Sequence, residues 1–600
     1  MRSPALDSLG KESTISRNIF HFKPLSLFFI SVGVNIRSSC ATIRTWCANS
    51  MHLLKINDDG NFSLTTFVGS NVPSYAILSP TWKADDQELT FQDLISGTGR
   101  NKDGYRKIQF CGDQAKKDCL QYFWVDTCCI DKSSSSELSE SINSMFQWYQ
   151  NAEVCYVYLA DLPPDSDVSR LLHCRWFTRG WTLQELVAPR VVKFYDYKWN
   201  AIGTKVELVD IISSSTSIPS HLLLGHSVLS DSSIATRMSW AAQRQTTRLE
   251  DLAYCLLGIF EVNMPLIYGE GMRAFRRLQE EIIKRNNDLT IFAWELPQEP
   301  KAQFVGLFAP SPSTFAASSG ITPFSDDSIN FSVTNRGLFF TGGTFIRVAA
   351  VPTRGDRVET LYFIYSGLKL HMSDPTESGT FRRDVGIYLR KIGPKLFCRE
   401  GLLPLAGLKT KVEQIEMYEV AEKYILLDPT PAIINASLSF RNLAIHLPLH
   451  DAFELQEAIP ETLWDHTDRV FLRPKPYNWI KHPIVLAMRF SVRLINATVP
   501  LVLLCDYREA VPILKVFDPN AYLQESKIIF QQKYREEGIT WEDLEIQTPD
   551  IHALNDSTTM RIGTCLFVVS ALLEKRNIQH MSHNVNVWSL FLTIIKVEAR

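Results

Sequence analysis

The sequence predicts an α/β protein: an N-terminal parallel β-sheet with flanking helices and a helical extension, followed by a β-rich C-terminal region. Three observations support this fold class. Short apolar runs alternate with helical patterns between residues 75 and 195, as in parallel sheets joined by crossover helices. A second helical block extends to residue 296. Beyond residue 305, many short strand-like runs are separated by Gly, Pro, Asn and Asp, which is typical of antiparallel sheets.

Four strands of the N-terminal sheet are expected from aromatic and β-branched runs with little polar content, which is typical of strands covered on both faces. They are residues 75–79, 122–126, 154–159 and 191–195. Between the second and third runs, residues 137–149 carry apolar side chains at helical spacing on one face. Ser134 and Glu137 stand at capping-box spacing before that helix. Residues 107–120 predict another helix, which Gly112 makes less regular.

The helical extension is predicted over residues 216–296. Thr247 and Glu250 again have capping-box spacing, ahead of an apolar stripe that Gly258 interrupts. A turn at residues 263–271 precedes a second stripe, whose other face is basic. We interpret that basic face as solvated, with anion or nucleic-acid contact as the alternative.

Composition narrows the class of protein. A length of 600 residues corresponds to about four domains at ~150 residues each. The predicted division is an N-terminal extension at 1–50, an α/β domain at 51–215, the helical extension at 216–296, and the β-rich region at 305–600, which could hold two subdomains. With 62 Lys and Arg against 65 Asp and Glu, the net charge is −3, which argues against binding nucleic acid by bulk electrostatics.

The cysteines and the first fifty residues bear on location. Twelve cysteines are scattered along the chain, which favours a reduced, cytoplasmic setting over a disulfide scaffold. The apolar run at 25–34 is about half the length that crosses a bilayer, so we expect no membrane insertion. Met51 directly precedes the first well-patterned segment. Residues 1–50 are therefore interpreted as an upstream extension, and an organellar signal or an anchor remain as alternatives.

Polar side chains follow the predicted parallel strands where ligands bind in open α/β sheets. Ser79, Asp126 and Asp161 come at or after the ends of the first three strands. The loops behind them contain an aromatic and cationic set that could hold a nucleotide: Trp82, Arg175, Arg179 and Trp181, together with the carboxylate Glu185. For each residue a structural role is the alternative, because strand-terminal Asp residues often cap helices and tryptophans often lie in cores.

Other chemistries fail on spacing. The sequence contains no GxxxxGK[ST] phosphate loop, no HExxH or paired CxxC metal pattern and no GxSxG nucleophile elbow. These patterns therefore predict no metal site and do not by themselves imply a cofactor. Cys128 lies among apolar neighbours without an assigned base, so we interpret it as a buried structural thiol.

Four motifs, in order, resemble the fungal heterokaryon-incompatibility (HET) domain family: YAILSPTW, FWVDTCCIDKSSSSELSESINSMFQWYQNAEVCYVYLAD, RWFTRGWTLQEL and RLEDLAYCLLGIFEVNMPLIYGEG. The resemblance covers about residues 75–294. It implies a fungal protein of non-self recognition whose action ends in growth arrest or programmed cell death. One departure is Pro80, where the family commonly has His. If that His contacts ligand, this chain would be weakened or inactive; if it only shapes the turn, proline could substitute.

The same region is similar, over a shorter motif, to Toll/interleukin-receptor (TIR) domains, which have a flavodoxin-like parallel sheet. Their W-C-x-x-E-L motif aligns with Trp181, Glu185 and Leu186, and Thr182 replaces the Cys. In NAD-cleaving members that Glu is the catalytic carboxylate. The resemblance implies NAD as candidate substrate and Glu185 as candidate catalytic residue, with Arg175 or Arg179 at the pyrophosphate.

Two hypotheses of function follow. In the first, self-association assembles an NAD-cleaving site around Glu185, and NAD loss triggers cell death. In the second, the domain is a non-enzymatic scaffold that pairs with other incompatibility or death-signalling proteins, with Glu185 as a structural residue. Pro80 and Thr182 favour the second hypothesis, and the RWFTRGWTLQEL cluster favours the first.

Overall fold

A computed structural model gives the fold of residues 50–597. Within that range it leaves out residues 70, 83, 297–303, 324–329, 342–343, 353–357, 366–367, 374–379, 394–395, 402–404, 409–414, 420–421, 431–443, 460–463, 466–468, 473–484, 495–496, 507–512, 518–556, 563–564 and 581–582. Of the extension predicted at residues 1–50, residues 1–49 lie outside the described residues, and Ser50 begins the first strand.

A seven-stranded mixed sheet forms the centre of the N-terminal part. Its strands are β1 Ser50–Ile56, β2 Phe62–Val68, β3 Tyr75–Pro80, β4 Tyr122–Trp124, β5 Val154–Tyr158, β6 Val192–Tyr195 and β7 Ala201–Thr204. The order across the sheet is β2-β1-β4-β3-β5-β6-β7. The four predicted strands are confirmed as its parallel centre, β4-β3-β5-β6, while β1, β2 and β7 add antiparallel edges.

The parallel centre has the order of a flavodoxin-like sheet. In order along the chain its strands occupy positions 2-1-3-4, so the direction of winding reverses between β3 and β5. Every residue of β3 and of β5 is buried, which explains their continuous apolar sequences. Ligands of such sheets bind at this reversal, beyond the carboxyl ends of the strands.

Short and medium helices connect and extend the sheet. They are α1 Phe91–Ser96, α2 Tyr105–Lys117, α3 Ser135–Asn151, α4 Arg175–Thr178, α5 Thr182–Val187, α6 Val209–Thr216, α7 Ser220–Leu223, α8 Ile234–Ser239, α9 Asp251–Tyr254 and α10 Arg273–Ile283. The predicted start of α3 is confirmed, but only half of its capping box forms. The Ser134 hydroxyl accepts a hydrogen bond from the Glu137 N–H at 3.3 Å, which satisfies one of the free donors at a helix N-terminus, while the Glu137 carboxylate accepts from the Asp131 N–H at 2.8 Å.

The predicted capping box at Thr247 and Glu250 is wrong. Glu250 itself has helical backbone angles, and the helix that follows is only the four-residue α9. The Glu250 carboxylate instead accepts hydrogen bonds from the N–H groups of Gly269 (2.7 Å) and Gly271 (2.9 Å). Two charge-assisted bonds to this turn outcompete a local cap.

Antiparallel sheets dominate the C-terminal region, as expected, and the residues that the structure describes there form sheets of nine, four, six and four strands. The strands are β8 Phe304–Val305, β9 Ile321–Thr322, β10 Asn330–Thr334, β11 Gly337–Thr341, β12 Thr344–Pro352, β13 Val358–Tyr365, β14 Leu368–Ser373, β15 Thr380–Gly386, β16 Tyr388–Gly393, β17 Leu396–Glu400, β18 Ala406–Leu408, β19 Ile415–Glu419, β20 Glu422–Ile425, β21 Ala444–His446, β22 Phe453–Ile459, β23 Trp464–Asp465, β24 Val470–Leu472, β25 Val485–Leu494, β26 Ala497–Asp506, β27 Ile513–Phe517, β28 Ser557–Ile562, β29 Cys565–His580 and β30 His583–Val597.

One hydrophobic core spans the N-terminal sheet, the helical extension and the first C-terminal strands, from Met51 to Ile425. A second core starts at Ile445 and ends at Leu592. The predicted boundary near 296–305 stays a prediction about domains, but side-chain packing continues across it. Among the residues that the structure describes, no helix combines the length and the apolar character needed to cross a membrane.

Candidate functional site

Glu185 lies in α5, and its carboxyl group is held next to the end of β3. The Ser79 hydroxyl donates a hydrogen bond to Glu185 Oε2. The indole Nε1 of Trp176 donates in turn to Ser79 Oγ at 2.7 Å. Ser79 and Trp176 are fully buried and Glu185 is 6% exposed. The three side chains therefore form a hydrogen-bonded series at the reversal point of the sheet.

The surroundings of Glu185 favour its neutral form. Burial raises the pKa of Glu185 to about 8, and the charge of Asp126 acts in the same direction. The Ser79 hydrogen bond and the charges of Arg179 and Arg244 oppose that rise in pKa. A carboxyl group that titrates near neutral pH is able to exchange a proton or to present an anion under cellular conditions.

Trp82 lies close to two cationic side chains, which come from different loops. Its Nε1 donates to Asp126 Oδ2 at 2.6 Å. The Lys132 ammonium lies 3.8 Å from the centroid of the indole ring, and the Arg179 guanidinium lies 5.8 Å from it. Both distances are within the range of cation–π attraction. Asp126 Oδ1 is buried without a hydrogen-bond partner, so this carboxylate has acceptor capacity left.

Asp161 and Arg175 are hydrogen-bonded to each other. Asp161 Oδ2 accepts the main-chain N–H of Arg175 at 2.8 Å, at the start of α4. The Arg175 guanidinium donates to the Trp82 carbonyl at 3.3 Å. Asp161 thus has the helix-capping geometry that was its alternative interpretation. Arg175 is exposed and joins the loop after β3 to the loop after β5.

Trp181 is placed differently from the other candidates. Its side chain interacts with Asp251, in α9 of the helical extension, and opposes the rise that burial causes in the pKa of that carboxyl. It is half-buried and packs against the main core. The structure therefore places Ser79 at Glu185. It places Asp126, Arg175 and Arg179 at Trp82, while Trp181 lies on the side of the extension.

Sequence reasoning missed three cations of this region. Lys132 is in the loop after β4, where a basic residue among polar neighbours gave only a weak signal. Arg244 and Lys205 lie outside the loops that directly follow the first three parallel strands, the loops from which the candidate residues were drawn. Arg244 Nη1 donates to the Thr182 hydroxyl at 2.9 Å, and Lys205 Nζ donates to the carbonyls of Leu186 (3.2 Å) and Pro189 (2.5 Å) at the end of α5.

Cys128 is excluded as a nucleophile at this edge of the sheet. The side chain is fully buried, and burial raises the pKa of its thiol well above the ordinary value. A thiol without thiolate character is a poor nucleophile. This agrees with the structural role expected from its apolar neighbours.

Comparisons with known proteins identify the region. Residues 75–172 match the family model of heterokaryon incompatibility protein (HET), and residues 273–306 match a domain of unknown function (DUF8212). The chain is similar to vegetative incompatibility protein HET-E-1 of Podospora anserina, with 50% identity over 244 residues. That match covers 39% of this chain and 18% of the relative. No solved structure matches the chain. Residues 75–172 are therefore assigned to the HET domain family, and the chain spans about a fifth of the length of the relative that it matches.

Proposed function

We propose that the chain acts in vegetative incompatibility as a cytoplasmic effector of programmed cell death, and that it does so by cleaving NAD. The name of the relative HET-E-1 supports the incompatibility role. Its partners in this proposal are other incompatibility or death-signalling proteins and further copies of the chain. Neither nucleic acid nor membrane takes part.

The observation that carries the NAD-cleaving step is the Glu185 carboxyl, hydrogen-bonded at the point where a flavodoxin-like sheet binds ligands. Loss of nicotinamide gives the ribose oxocarbenium character. The ionised form of Glu185 would stabilise that positive charge, and its neutral form would orient the ribose hydroxyls by hydrogen bonding. Water then adds to the anomeric carbon, so that NAD and water yield ADP-ribose, nicotinamide and a proton.

The remaining residues bind and position the dinucleotide in this proposal. Arg175, Arg179 and Lys132 supply positive charge for the pyrophosphate. Trp82 and Asp126 form the wall beside them, linked by the 2.6 Å hydrogen bond. Ser79 orients Glu185 and Asp161 holds the loop of Arg175. Trp181, which directly precedes α5, interacts with Asp251 of the extension.

Nicotinamide release by the full chain, concentrated or on a crowding support, tests the proposal. Glu185→Gln and Glu185→Ala should reduce release by at least about a hundredfold, the scale of general acid–base and electrostatic contributions. Glu153→Gln is the matched control. Glu153 is exposed and directly precedes β5, so it lies at the amino end of that strand, away from the carboxyl ends that surround Glu185. Equal release from the Glu185 variants would place the chemistry elsewhere.

The second candidate function is a non-enzymatic scaffold, and the small exposure of Glu185 favours it. The carboxyl has a structural partner in Ser79, and Pro80 ends β3 as a buried residue where the family commonly has His. A scaffold should neither release nicotinamide nor respond to NAD. An NAD-binding chain should gain about 2.7 kcal/mol of stability at a hundred times its dissociation constant.

A further inference from the structure

The helix that carries Glu185 depends on the helical extension for its placement. Helix α5 has only six residues, too few to be stable alone. At its N-terminal end, the buried guanidinium of Arg244 donates through Nη1 to the Arg179 carbonyl (2.8 Å) and to the Thr182 hydroxyl (2.9 Å). Arg244 Nε donates to the carbonyl of Trp240 at 3.2 Å, so its geometry is fixed from both sides.

The main chain repeats this attachment. The Gln245 carbonyl accepts the N–H of Gly180 at 2.9 Å, and the Gln245 N–H donates to the carbonyl of Thr178 at 2.7 Å. Arg179 and Gln245 thereby form a parallel β-bridge. A Cβ at Gly180 would lie 2.5 Å from Thr246 Cγ2, so the close approach of the two segments requires glycine here.

We propose that Arg244 is a positioning residue for Glu185, and that residues 240–246 of the extension are a structural part of the candidate site. The extension then completes the site that the α/β domain begins. This inference rests on the proposed role of Glu185. It is tested by the titration of Glu185 itself, which does not require NAD cleavage to occur.

The pKa of Glu185 is the quantity to be measured, and it depends on the charged and titratable groups around its carboxyl. They are Asp126 from the end of β4, Arg179 from the loop before α5, Arg244 from the extension, and the buried Tyr149 and Cys155. Arg244 opposes the raised pKa of Glu185. Removing its charge should raise the pKa of Glu185 further.

The experiment uses the full chain and follows the stability difference between Glu185 and Glu185→Gln from pH 4 to pH 10. That difference is measured in the wild-type, Arg244→Gln and Arg244→Lys backgrounds. Arg244→Gln should move the titration upward by about one pH unit, and Arg244→Lys, which keeps the charge, should move it by less than half as much. Arg237→Gln is the matched control, since Arg237 is also a buried arginine of the extension but donates to the Ile259 carbonyl.

An equal titration in the Arg244→Gln and Arg237→Gln backgrounds would overturn the inference, because a purely structural arginine lowers stability at every pH alike. If Arg244→Gln does not fold, Thr182→Val replaces it: loss of the hydroxyl that accepts from Arg244 should move the same titration, and no movement would overturn the inference. Nicotinamide release is measured separately. Its absence in all folded variants would reject NAD cleavage and leave the positioning result standing.

Discussion

At the scale of single residues, the feature that distinguishes this site is a carboxylic acid kept largely neutral near pH 7. Glu185 is buried beside Ser79 and Trp176, and burial outweighs the nearby guanidinium groups in setting its pKa to about 8. The sequence could predict that Ser79, Asp126 and Glu185 lie near one edge, since carboxyl ends of parallel strands meet there. It could not predict the Trp176–Ser79–Glu185 hydrogen bonds, which depend on side-chain packing between segments about a hundred residues apart.

Glu185→Gln should stabilise the protein in a pH-dependent way. The folded pKa of about 8 is above the ordinary 4.5, so the stability that the neutral acid provides is complete below pH 4.5 and is lost as the pH rises through 8. Gln keeps the neutral form throughout. Its advantage should therefore grow by about 1.4 kcal/mol per pH unit across that window. Urea unfolding at pH 4.5, 6, 7 and 8.5 measures it, and a constant difference would show that Glu185 is an ordinary ionised carboxylate.

At the scale of elements, apolar periodicity predicts the strands and helices that the core buries. It does not predict contacts between segments that are distant in the sequence. The four parallel strands and α3 were found because burial on both faces, or on one face, leaves a clear apolar pattern. The capping box at Glu250 was wrong because the turn at Gly269 and Gly271 competes for its carboxylate. Gly258 was noted only as an interruption of a helical stripe. The structure shows its reason: a Cβ there would lie 2.1 Å from Phe146 Cβ in α3.

Gly258→Ala should therefore separate α3 from the extension. The added methyl meets the inner part of a side chain that cannot swing away, and overpacking of this kind costs about 1–3 kcal/mol. The double variant Gly258→Ala/Phe146→Gly, which also removes the clashing Cβ at position 146, should be destabilised by less than the sum of the two single variants. A double-mutant cycle in urea measures this coupling, and strict additivity would contradict the steric explanation.

At the scale of the whole molecule, the extension and the first C-terminal strands share one core with the N-terminal sheet. Arg399 in β17 shows how they are joined. Its guanidinium donates to the carbonyls of Phe292 (2.8 Å) and Trp294, and lies 3.6 Å from the Trp294 ring centroid. The change of composition near residue 296 suggested a boundary in the sequence. Composition describes only which residue types are neighbours in the sequence. A shared core depends on contacts between residues about a hundred positions apart, which composition does not show.

Arg399→Met should destabilise the N-terminal part although the substitution lies in the β-rich region. Two buried carbonyls lose their donor, at about 1–3 kcal/mol each. Arg493→Met is the control, because Arg493 forms an exposed ion pair with Glu454 and should cost less than about 1 kcal/mol. Limited proteolysis with identification of the cut sites would show early cleavage before residue 296 in Arg399→Met. Cleavage confined to residues beyond 305 would argue for independent domains.

The depth of Glu185 also sets the kinetics of ligand arrival. With 6% of its surface exposed, its carboxyl cannot contact a dinucleotide until neighbouring side chains have moved aside. Opening then precedes contact, so the observed rate of association levels off at high ligand concentration rather than rising linearly. Under the proposed NAD-cleaving function, such a slow first step would keep the resting protein inactive, and any event that speeds the opening would start the reaction.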